Sequence, residues 1–332
     1  WELARDMWLT IDDGQVMLRP ENGTGTELTA FLENVVKNGG MDVTPLEQTV
    51  CRAVDEAALR AAPVRYGLVT VNKRTLRPLE LPLEEIPEGR LVDYMLASAA
   101  CFPAFRPRAI DGEEFIDGGY ADNMPLGLAA RMGAEELLAV DVDGVGITRP
   151  NLTGLPTTYV RSHWELGSIL VFQPEVAKRN MALGYQDCHR AFGKVLGAAY
   201  TLRAGEEKAL AVGFARPYAR LLKDAISRNP ALALAEGAAV LPMEGLQAAG
   251  AEKALAPLER ACELAGVDPV GVYTARELFG AFLEASDPAG AERFAPLLRE
   301  DAGLCLKETA LAAAAPGEFL QALVRAALLA AE

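Results

Sequence analysis

The spacing of apolar residues divides the chain into two parts. Up to about residue 195, β-branched runs alternate with Gly/Pro turns and short helical stretches, whereas from about 196 Ala and Leu recur at the spacing of α-helices. We therefore predict two domains, residues 1–195 and 196–332, of which the second is α-helical. Its predicted helices, separated by Pro and Gly, lie near 205–228, 251–265, 274–285, 289–299 and 317–331.

The first part carries both strand and helix patterns. Residues 64–71 predict a strand, and residues 77–83 predict an edge strand because two prolines remove backbone donors from it. Asp111-Gly112 lies between two extended segments and predicts a hairpin turn. Further helices and a buried strand are predicted at 44–62 with Thr44 as the N-cap, at 90–100, from about Asn123, and at 136–142. A helix that leads into a buried strand indicates an α/β fold with a mostly parallel sheet.

Composition and charge narrow the class of protein. Hydrophobic residues make up 51% of the 332 residues, which is enough for a sizeable core, and the net charge of −14 argues against binding to nucleic acids or anionic lipid surfaces. The five scattered cysteines form no CxxC motif and indicate reduced thiols in a cytosol. The sequence contains neither an uncharged apolar run of ~18 residues nor a secretion signal. We predict a cytoplasmic protein, with peripheral contact to membranes as an alternative.

Histidine chemistry and cofactor binding find little support in the sequence. His163 and His189 are the only histidines, and we expect both to be structural or exposed to solvent. No third ligand is spaced to complete a metal site at Asp187-Cys188-His189. The Gly-rich stretch at 22–26 lacks the lysine of a phosphate-binding loop and predicts an ordinary loop before a helix. No cofactor and no metal are predicted.

One stretch, residues 97–125, combines features that are typical of a catalytic loop. The hairpin around Asp111-Gly112 delivers Asp117 to the end of a strand, where α/β folds present catalytic groups. Gly118 and Gly119 then allow a sharp turn and a close backbone approach. Asn123 is expected to cap the next helix and to steady the loop. We therefore select Asp117 as the candidate catalytic residue, supported by Gly118, Gly119 and Asn123.

This stretch resembles the patatin-like phospholipases, in which an Asp-Gly-Gly motif is followed by Asn-x-Pro. The matching residues are Asp117-Gly118-Gly119 and Asn123-Met124-Pro125, and the resemblance covers roughly residues 1–195. It implies a three-layer α/β/α sandwich with a mostly parallel sheet, followed here by the helical C-terminal region. It also implies a Ser–Asp dyad that works without histidine, in which Asp117 is the general base of a lipid acyl hydrolase.

The sequence departs from the family pattern at the nucleophile. None of its five serines lies in the Gly-x-Ser-x-Gly turn that holds the nucleophile in that family, and the Gly-rich oxyanion loop is also missing. The helical spacing at Trp1–Trp8 starts without an N-cap or an initiator Met, so we expect the nucleophile upstream of Trp1, fused or as a separate fragment.

Other functions stay open at this point. One alternative is a non-catalytic patatin-like scaffold, whose Ala-rich helices after residue 195 bind a partner. Another is an acyltransferase or thioesterase that uses the same dyad. The acidic surface favours zwitterionic, neutral or monomeric lipid substrates over anionic bilayers.

Overall fold

A computed structural model of the chain forms two compact units, residues 1–184 and 185–332. The division falls inside the helix Pro174–Ala191. The domain boundary predicted from the sequence lay after residue 195, because the Ala- and Leu-rich composition begins there. The structure describes residues 1–18, 39–235, 251–299 and 303–331, without the side chains of 234–235 and 251–254. The predicted loop at 22–26 lies outside the described residues.

The helices of the first unit start where local side chains cap them. Asp12 accepts the backbone N–H of Gln15, and Asp55 accepts that of Ala58. The cap at Asp55 divides the predicted helix 44–62 into two, and Thr44 is already helical in the first of them. The helices are α1 (Glu2–Thr10), α2 (Asp13–Val16), α3 (Thr44–Ala53), α4 (Glu56–Ala61), α5 (Leu91–Ser98), α6 (Leu126–Arg131) and α7 (Pro174–Ala191).

The described residues of the first unit form six strands in two sheets. Four of them pair in the order β2-β1-β4-β3, and β5 pairs with β6 in a second sheet. The strands are β1 (Gly67–Asn72), β2 (Pro78–Pro82), β3 (Arg108–Ile110), β4 (Glu113–Asp117), β5 (Leu137–Asp141) and β6 (Thr157–Arg161).

The predicted hairpin and the predicted edge strand are confirmed. Asp111 and Gly112 both have positive φ, 52° and 84°, as a two-residue hairpin turn requires, and Ile110 pairs with Glu113 across it. Strand β2 lies at one edge of the four-stranded sheet, where the missing N–H groups of its prolines are tolerated.

The expectation of a mostly parallel sheet is wrong for the described residues. All pairings in the four-stranded sheet are antiparallel, because tight turns join β1 to β2 and β3 to β4, and a parallel connection needs a longer crossover. Strand β5 does pair with β6 in parallel. It is not the buried strand expected at 136–142, since Leu138 is 55% and Val140 59% exposed.

The core of the first unit packs against β1 and β4. Leu68 of β1 meets Ile86 and Leu91 in one cluster, and Phe115 of β4 packs with Ala97 of α5 in another. Burying an aliphatic or aromatic side chain of this size stabilises a fold by about 1.5–3 kcal/mol. These contacts fix the carboxyl end of β4 against its neighbour.

An ion network reinforces the same region. The Arg108 guanidinium donates to both carboxylate oxygens of Glu47, at 3.0 and 2.9 Å, and its Nη2 donates to Asp93 at 2.5 Å. It therefore ties β3 to α3 and α5. The carboxylates hold the pKa of Arg108 above its ordinary value, with Glu47 the largest contributor.

The second unit is mostly helical, and the predicted helices at 205–228, 251–265, 274–285 and 317–331 are confirmed within a few residues. The helix predicted at 289–299 is instead two short helices, Pro288–Glu292 and Ala295–Leu298. A small sheet and the helix Leu306–Ala314 were not predicted. The elements of the second unit are β7 (Val195–Leu196), β8 (Thr201–Arg203), α8 (Glu207–Leu210), α9 (Arg216–Arg228), α10 (Leu232–Ala235), α11 (Ala251–Ala265), β9 (Val272–Tyr273), α12 (Ala275–Ala285), α13 (Pro288–Glu292), α14 (Ala295–Leu298), α15 (Leu306–Ala314) and α16 (Pro316–Leu329).

A π-helical turn, Ala211–Ala215, joins α8 to α9. In a regular α-helix, Pro217 would leave the carbonyl of Gly213 without a donor, and its ring would clash with that carbonyl. The wider turn accommodates the proline. It also brings Phe214 and Tyr218, both fully buried, to a ring separation of 5.2 Å.

Glu259 of α11 is a buried carboxylate in this unit. Its Oε1 accepts the N–H groups of three consecutive residues, Ala198, Ala199 and Tyr200, at 2.8, 2.9 and 3.0 Å. Gly197, at φ 92°, shapes the loop that presents these donors. The carboxylate thus fastens the β7–β8 connection to α11.

Within the described ranges, the longest apolar helices fall short of what crossing a bilayer requires.

Candidate active site

Asp117 is held in place by backbone on two sides. It is the last residue of β4, where it lies opposite Thr70 of β1. Its N–H donates to the carbonyl of Ala100 at 2.9 Å, and the buried Thr70 hydroxyl donates to Ile116 at 2.8 Å. The residue therefore has a fixed position at the sheet end.

The Asp117 carboxylate is half-buried and accepts one hydrogen bond from the described residues. Its Oδ1 accepts the N–H of Gly119 at 2.7 Å. Burial raises the pKa of Asp117, and the hydrogen bond from Gly119 lowers it by less, so the pKa lies above that of an exposed aspartate. The carboxylate is consequently a stronger base than an ordinary aspartate.

The two glycines after Asp117 are required by close packing. A Cβ at Gly118 would lie 2.3 Å from the carbonyl oxygen of Val69, and a Cβ at Gly119 would lie 2.4 Å from Oδ1 of Asn123. Both distances are too short for real Cβ contacts. The backbone therefore turns directly against β1, which only glycine permits here.

The predicted helix cap at Asn123 is wrong. Helix α6 begins at Leu126, its N-cap is Pro125, and no side chain caps it. Two residues separate Asn123 from the first helical residue. This spacing places the Asn123 amide away from the free N–H groups of the first helical turn. The Asn123 side chain instead donates to the carbonyl of Gly144 at 2.8 Å.

Hydrogen bonds also connect the loop 144–147 to the Asp-Gly-Gly turn and to Asn123. Asn123 N–H donates to Ile147 at 2.7 Å, and Ile147 N–H donates to the carbonyl of Gly119 at 2.8 Å. Gly146 passes so close that its Cβ would lie 2.4 Å from that same Gly119 oxygen. These bonds hold the turn that follows Asp117 in place, in addition to its packing against β1.

Asp117 opens into an apolar cleft of about 430 Å³. This volume falls within the range of about 300–1,000 Å³ that is usual for small-ligand sites. Asp117 is the only charged side chain among the described residues that line the cleft. Its large apolar lining residues include Trp8, Ile11, Leu46, Val50, Phe105 and Phe172.

Two further polar residues of the cleft, Thr49 and Cys101, were not found by sequence reasoning. The Thr49 hydroxyl donates to the carbonyl of Pro45 at 3.0 Å. Burial, and to a lesser extent the nearby Asp117, raises the pKa of the Cys101 thiol. Cys101 therefore stays a protonated thiol, a poor nucleophile. The sequence signal that could have identified Cys101 is its position within the stretch 97–125, which also contains Asp117.

None of the chain's five serines lines the cleft. Ser98, expected to be structural, is the last residue of α5. Tyr120, directly after the Asp-Gly-Gly turn, donates its hydroxyl to the carbonyl of Phe102. The described residues therefore provide a base and an apolar cleft, but no serine nucleophile within that cleft.

The two histidines lie outside this cleft. The ring of His163 contacts Trp164, and the ring of His189 lies 4.5 Å from that of Tyr185. Asp187 forms an ion pair with Arg190 at 2.5 Å. Throughout the described part of the chain, no three His, Cys, Asp or Glu residues are grouped so that they could hold a metal ion.

Comparison with known proteins shows which family the sequence around this site matches. Residues 5–130 match the family model "Patatin-like phospholipase", a stretch that includes Asp117, both glycines and Asn123. The resemblance seen in the sequence is confirmed over these residues, and its extension to residue 195 stays a prediction.

A curated relative supports the same class. The chain is 28% identical over 105 residues to "Lysophospholipase NTE1" of Mycosarcoma maydis. The alignment covers 32% of this chain but spans only 5% of the length of that protein. The similarity therefore concerns one segment of a much longer protein.

Proposed function

We propose that the protein is a lipid acyl hydrolase of the serine type, in which Asp117 is the general base. The observation that carries the proposal is a half-buried carboxylate of raised pKa at the end of an apolar cleft. The match to patatin-like phospholipases over residues 5–130 supports it. The proposed substrate is an ester of a long acyl chain, in line with the name of the relative, a lysophospholipase.

The proposed reaction proceeds through an acyl-enzyme. Asp117 accepts the proton of a serine hydroxyl, and the serine oxygen attacks the ester carbonyl carbon. The bond to the alcohol breaks, and Asp117 returns the proton to the departing oxygen. Asp117 then takes a proton from water, whose oxygen attacks the acyl carbon. The bond to the serine oxygen breaks, Asp117 returns the proton to that oxygen, and the fatty acid is released.

The nucleophile in this proposal is a serine of a Gly-x-Ser-x-Gly turn, a motif that the 332 residues do not contain. We propose that it comes from a polypeptide segment other than these residues, fused upstream or bound as a fragment. By themselves, the 332 residues are then expected to be inactive. The three-layer sandwich, the domains 1–195 and 196–332, and a cytoplasmic location with peripheral membrane contact belong to the same proposal.

The test is hydrolysis of a monoacyl glycerophosphocholine by protein purified with any co-purifying polypeptide retained. The change Asp117→Asn is expected to lower kcat/KM by about 10²–10⁴-fold, the usual contribution of general acid–base catalysis. A matched control is Asp111→Asn, which removes an exposed carboxylate from the tip of the same hairpin and is expected to leave kcat/KM unchanged.

Labelling with a fluorophosphonate identifies the nucleophile, and peptide mapping reports its sequence. A labelled serine within Gly-x-Ser-x-Gly supports the proposal. Full activity in Asp117→Asn would contradict the role of Asp117. Absence of both hydrolysis and labelling would favour the non-catalytic scaffold, and transfer of the acyl group to an added alcohol or thiol would favour the acyltransferase.

A further inference from the structure

We infer that Asp117 also acts as a charge filter, through which the cleft accepts an uncharged acyl ester or alcohol and excludes the carboxylate of a free fatty acid. The inference rests on the proposed function for the acyl nature of the ligand. It goes beyond proton transfer, because it concerns which species binds and which species leaves.

The walls of the cleft suit a single hydrocarbon chain. They come from three segments that are distant in sequence: α1 with Trp8, α3 with Leu46 and Val50, and the stretch before α7 with Phe172. These side chains offer no charge and few hydrogen bonds. A methylene chain placed among them is removed from water, and each added methylene that enters is expected to tighten binding by about fourfold.

Among the described residues that line the cleft, no side chain carries a positive charge that could compensate a second negative one. These residues include no lysine, arginine or histidine, and Asp117 is the only carboxylate among them. One N–H of the Asn123 amide already donates to Gly144, and the hydroxyl of Thr49 already donates to Pro45. The Cys101 thiol and the Tyr120 phenol lie near Asp117, and neither supplies a positive charge.

A fatty-acid carboxylate in this cleft would therefore face a like charge in a medium of low polarity. Two like charges near 4 Å repel by several kcal/mol at the dielectric constant of a protein site, and solvent at an open cleft reduces this greatly. An ester or an alcohol at the same position carries no such penalty. The substrate is consequently admitted, and the acid that hydrolysis would produce is expelled.

The experiment measures binding rather than turnover. The probes are 12-bromododecanol and 12-bromododecanoate, which have the same chain and differ in head-group charge, and their bromine quenches tryptophan fluorescence on contact. The protein carries Trp1→Phe and Trp164→Phe, so that Trp8 in the cleft reports alone. Titrations at pH 8 keep carboxylates ionised.

We expect the alcohol to bind at least about tenfold more tightly than the carboxylate. Asp117→Asn is expected to close this gap by strengthening binding of the carboxylate while leaving the alcohol unchanged. The matched control is Asp6→Asn, which removes an exposed carboxylate next to Met7 and Trp8, two residues of the cleft, and is expected to leave the gap in place.

Three results would overturn the inference: equal affinity for the two probes, a gap that persists in Asp117→Asn, or no quenching by either probe. The comparison of the two probes in the parent protein needs no variant at Asp117, so it stands even where that variant is unstable. In the preparation that retains co-purifying polypeptides, a charge gap without hydrolysis would support the filter and contradict the hydrolase. In the same preparation, hydrolysis without the gap would support the hydrolase and contradict the filter.

Discussion

Asp117 in the first unit and Glu259 in the second are both carboxylates whose pKa is raised by burial and lowered, to a smaller extent, by backbone N–H donors. They differ in the number of those donors and in their surroundings. Glu259 accepts three N–H groups and is 4% exposed. Asp117 accepts one and lines a cleft.

The difference separates a structural carboxylate from a candidate catalytic one. Three N–H donors converge on one oxygen of Glu259, the positive charge of Arg190 also favours its ionised form, and the side chain is almost fully buried. Asp117 has too few donors to be stabilised fully, and it faces a space that a ligand can enter. A raised pKa alone would not distinguish the two residues, whereas donor number and access do.

Glu259→Ala tests the structural side of the comparison and is expected to have the largest effect on stability. It removes the shared acceptor of the N–H groups of Ala198, Ala199 and Tyr200, the last two in buried residues, so the free energy of unfolding should fall by about 3–5 kcal/mol. Chemical denaturation measures the change. Glu259→Gln is the control, since its amide oxygen can still accept, and it should lose less than half as much. Equal losses in both variants would contradict the role of the three donors.

Gly118→Ala tests whether packing against β1 positions Asp117. The new methyl group would lie 2.3 Å from the Val69 oxygen, so we expect a loss of about 2–3 kcal/mol together with a loss of hydrolysis. The control is Gly184→Ala in α7, where a Cβ meets nothing within 4 Å, and helix propensity should raise stability by about 0.5–1 kcal/mol. Wild-type stability in Gly118→Ala would show that the turn can move.

Asp117→Asn tests the candidate catalytic carboxylate. Its expected effect on stability is the smallest of the three, and it is a gain where the other two changes cause a loss. Burial of the ionised carboxylate opposes folding, so the neutral amide should raise Tm at pH 7 by about 1–2 °C, the result of roughly 0.5 kcal/mol. The amide oxygen can still accept the N–H of Gly119. A lower Tm at pH 7 would mean that Asp117 stabilises the fold.

The sign of the pH dependence follows from the raised pKa of Asp117. Below the unfolded pKa of about 3.9 both states are protonated, and the carboxyl does not affect folding. As pH rises from there through the higher folded pKa, the unfolded state ionises first, so wild-type stability is lost relative to Asp117→Asn. The difference in Tm should therefore be small near pH 3, grow with pH and then level off. Thermal unfolding from pH 3 to 8 measures it.

Local sequence signals predicted the elements that depend on local physics. Asp111-Gly112 predicted its hairpin because few other residues adopt two positive φ angles in a row. The helices after residue 205 followed from apolar periodicity and from breaks at Pro and Gly. Asp117 was selected on a different ground, since Asp-Gly-Gly alone is usually an ordinary turn and it was the resemblance of the longer stretch to patatin-like phospholipases that implied its role.

Features that depend on distant contacts could not be predicted in the same way. Asn123 looked like a helix cap, but its amide finds an acceptor in Gly144, far along the chain. The cleft brings Trp8 and Phe172 together with Asp117, and no spacing rule links these positions. Strand β5 has the apolar composition of a buried strand, yet two of its five side chains are exposed, because burial depends on which layers cover a strand.

The π-helical turn before Pro217 also determines how this helix tolerates changes in length. A π-helical turn holds one residue more than an α-helical turn. A single deletion within 211–215 would therefore restore a regular α-helix, in which the ring of Pro217 clashes with the preceding turn. Point substitutions on the exposed face of the turn leave its residue count unchanged. For gene variants in this region, a change in residue count is thus more harmful than a change in residue identity.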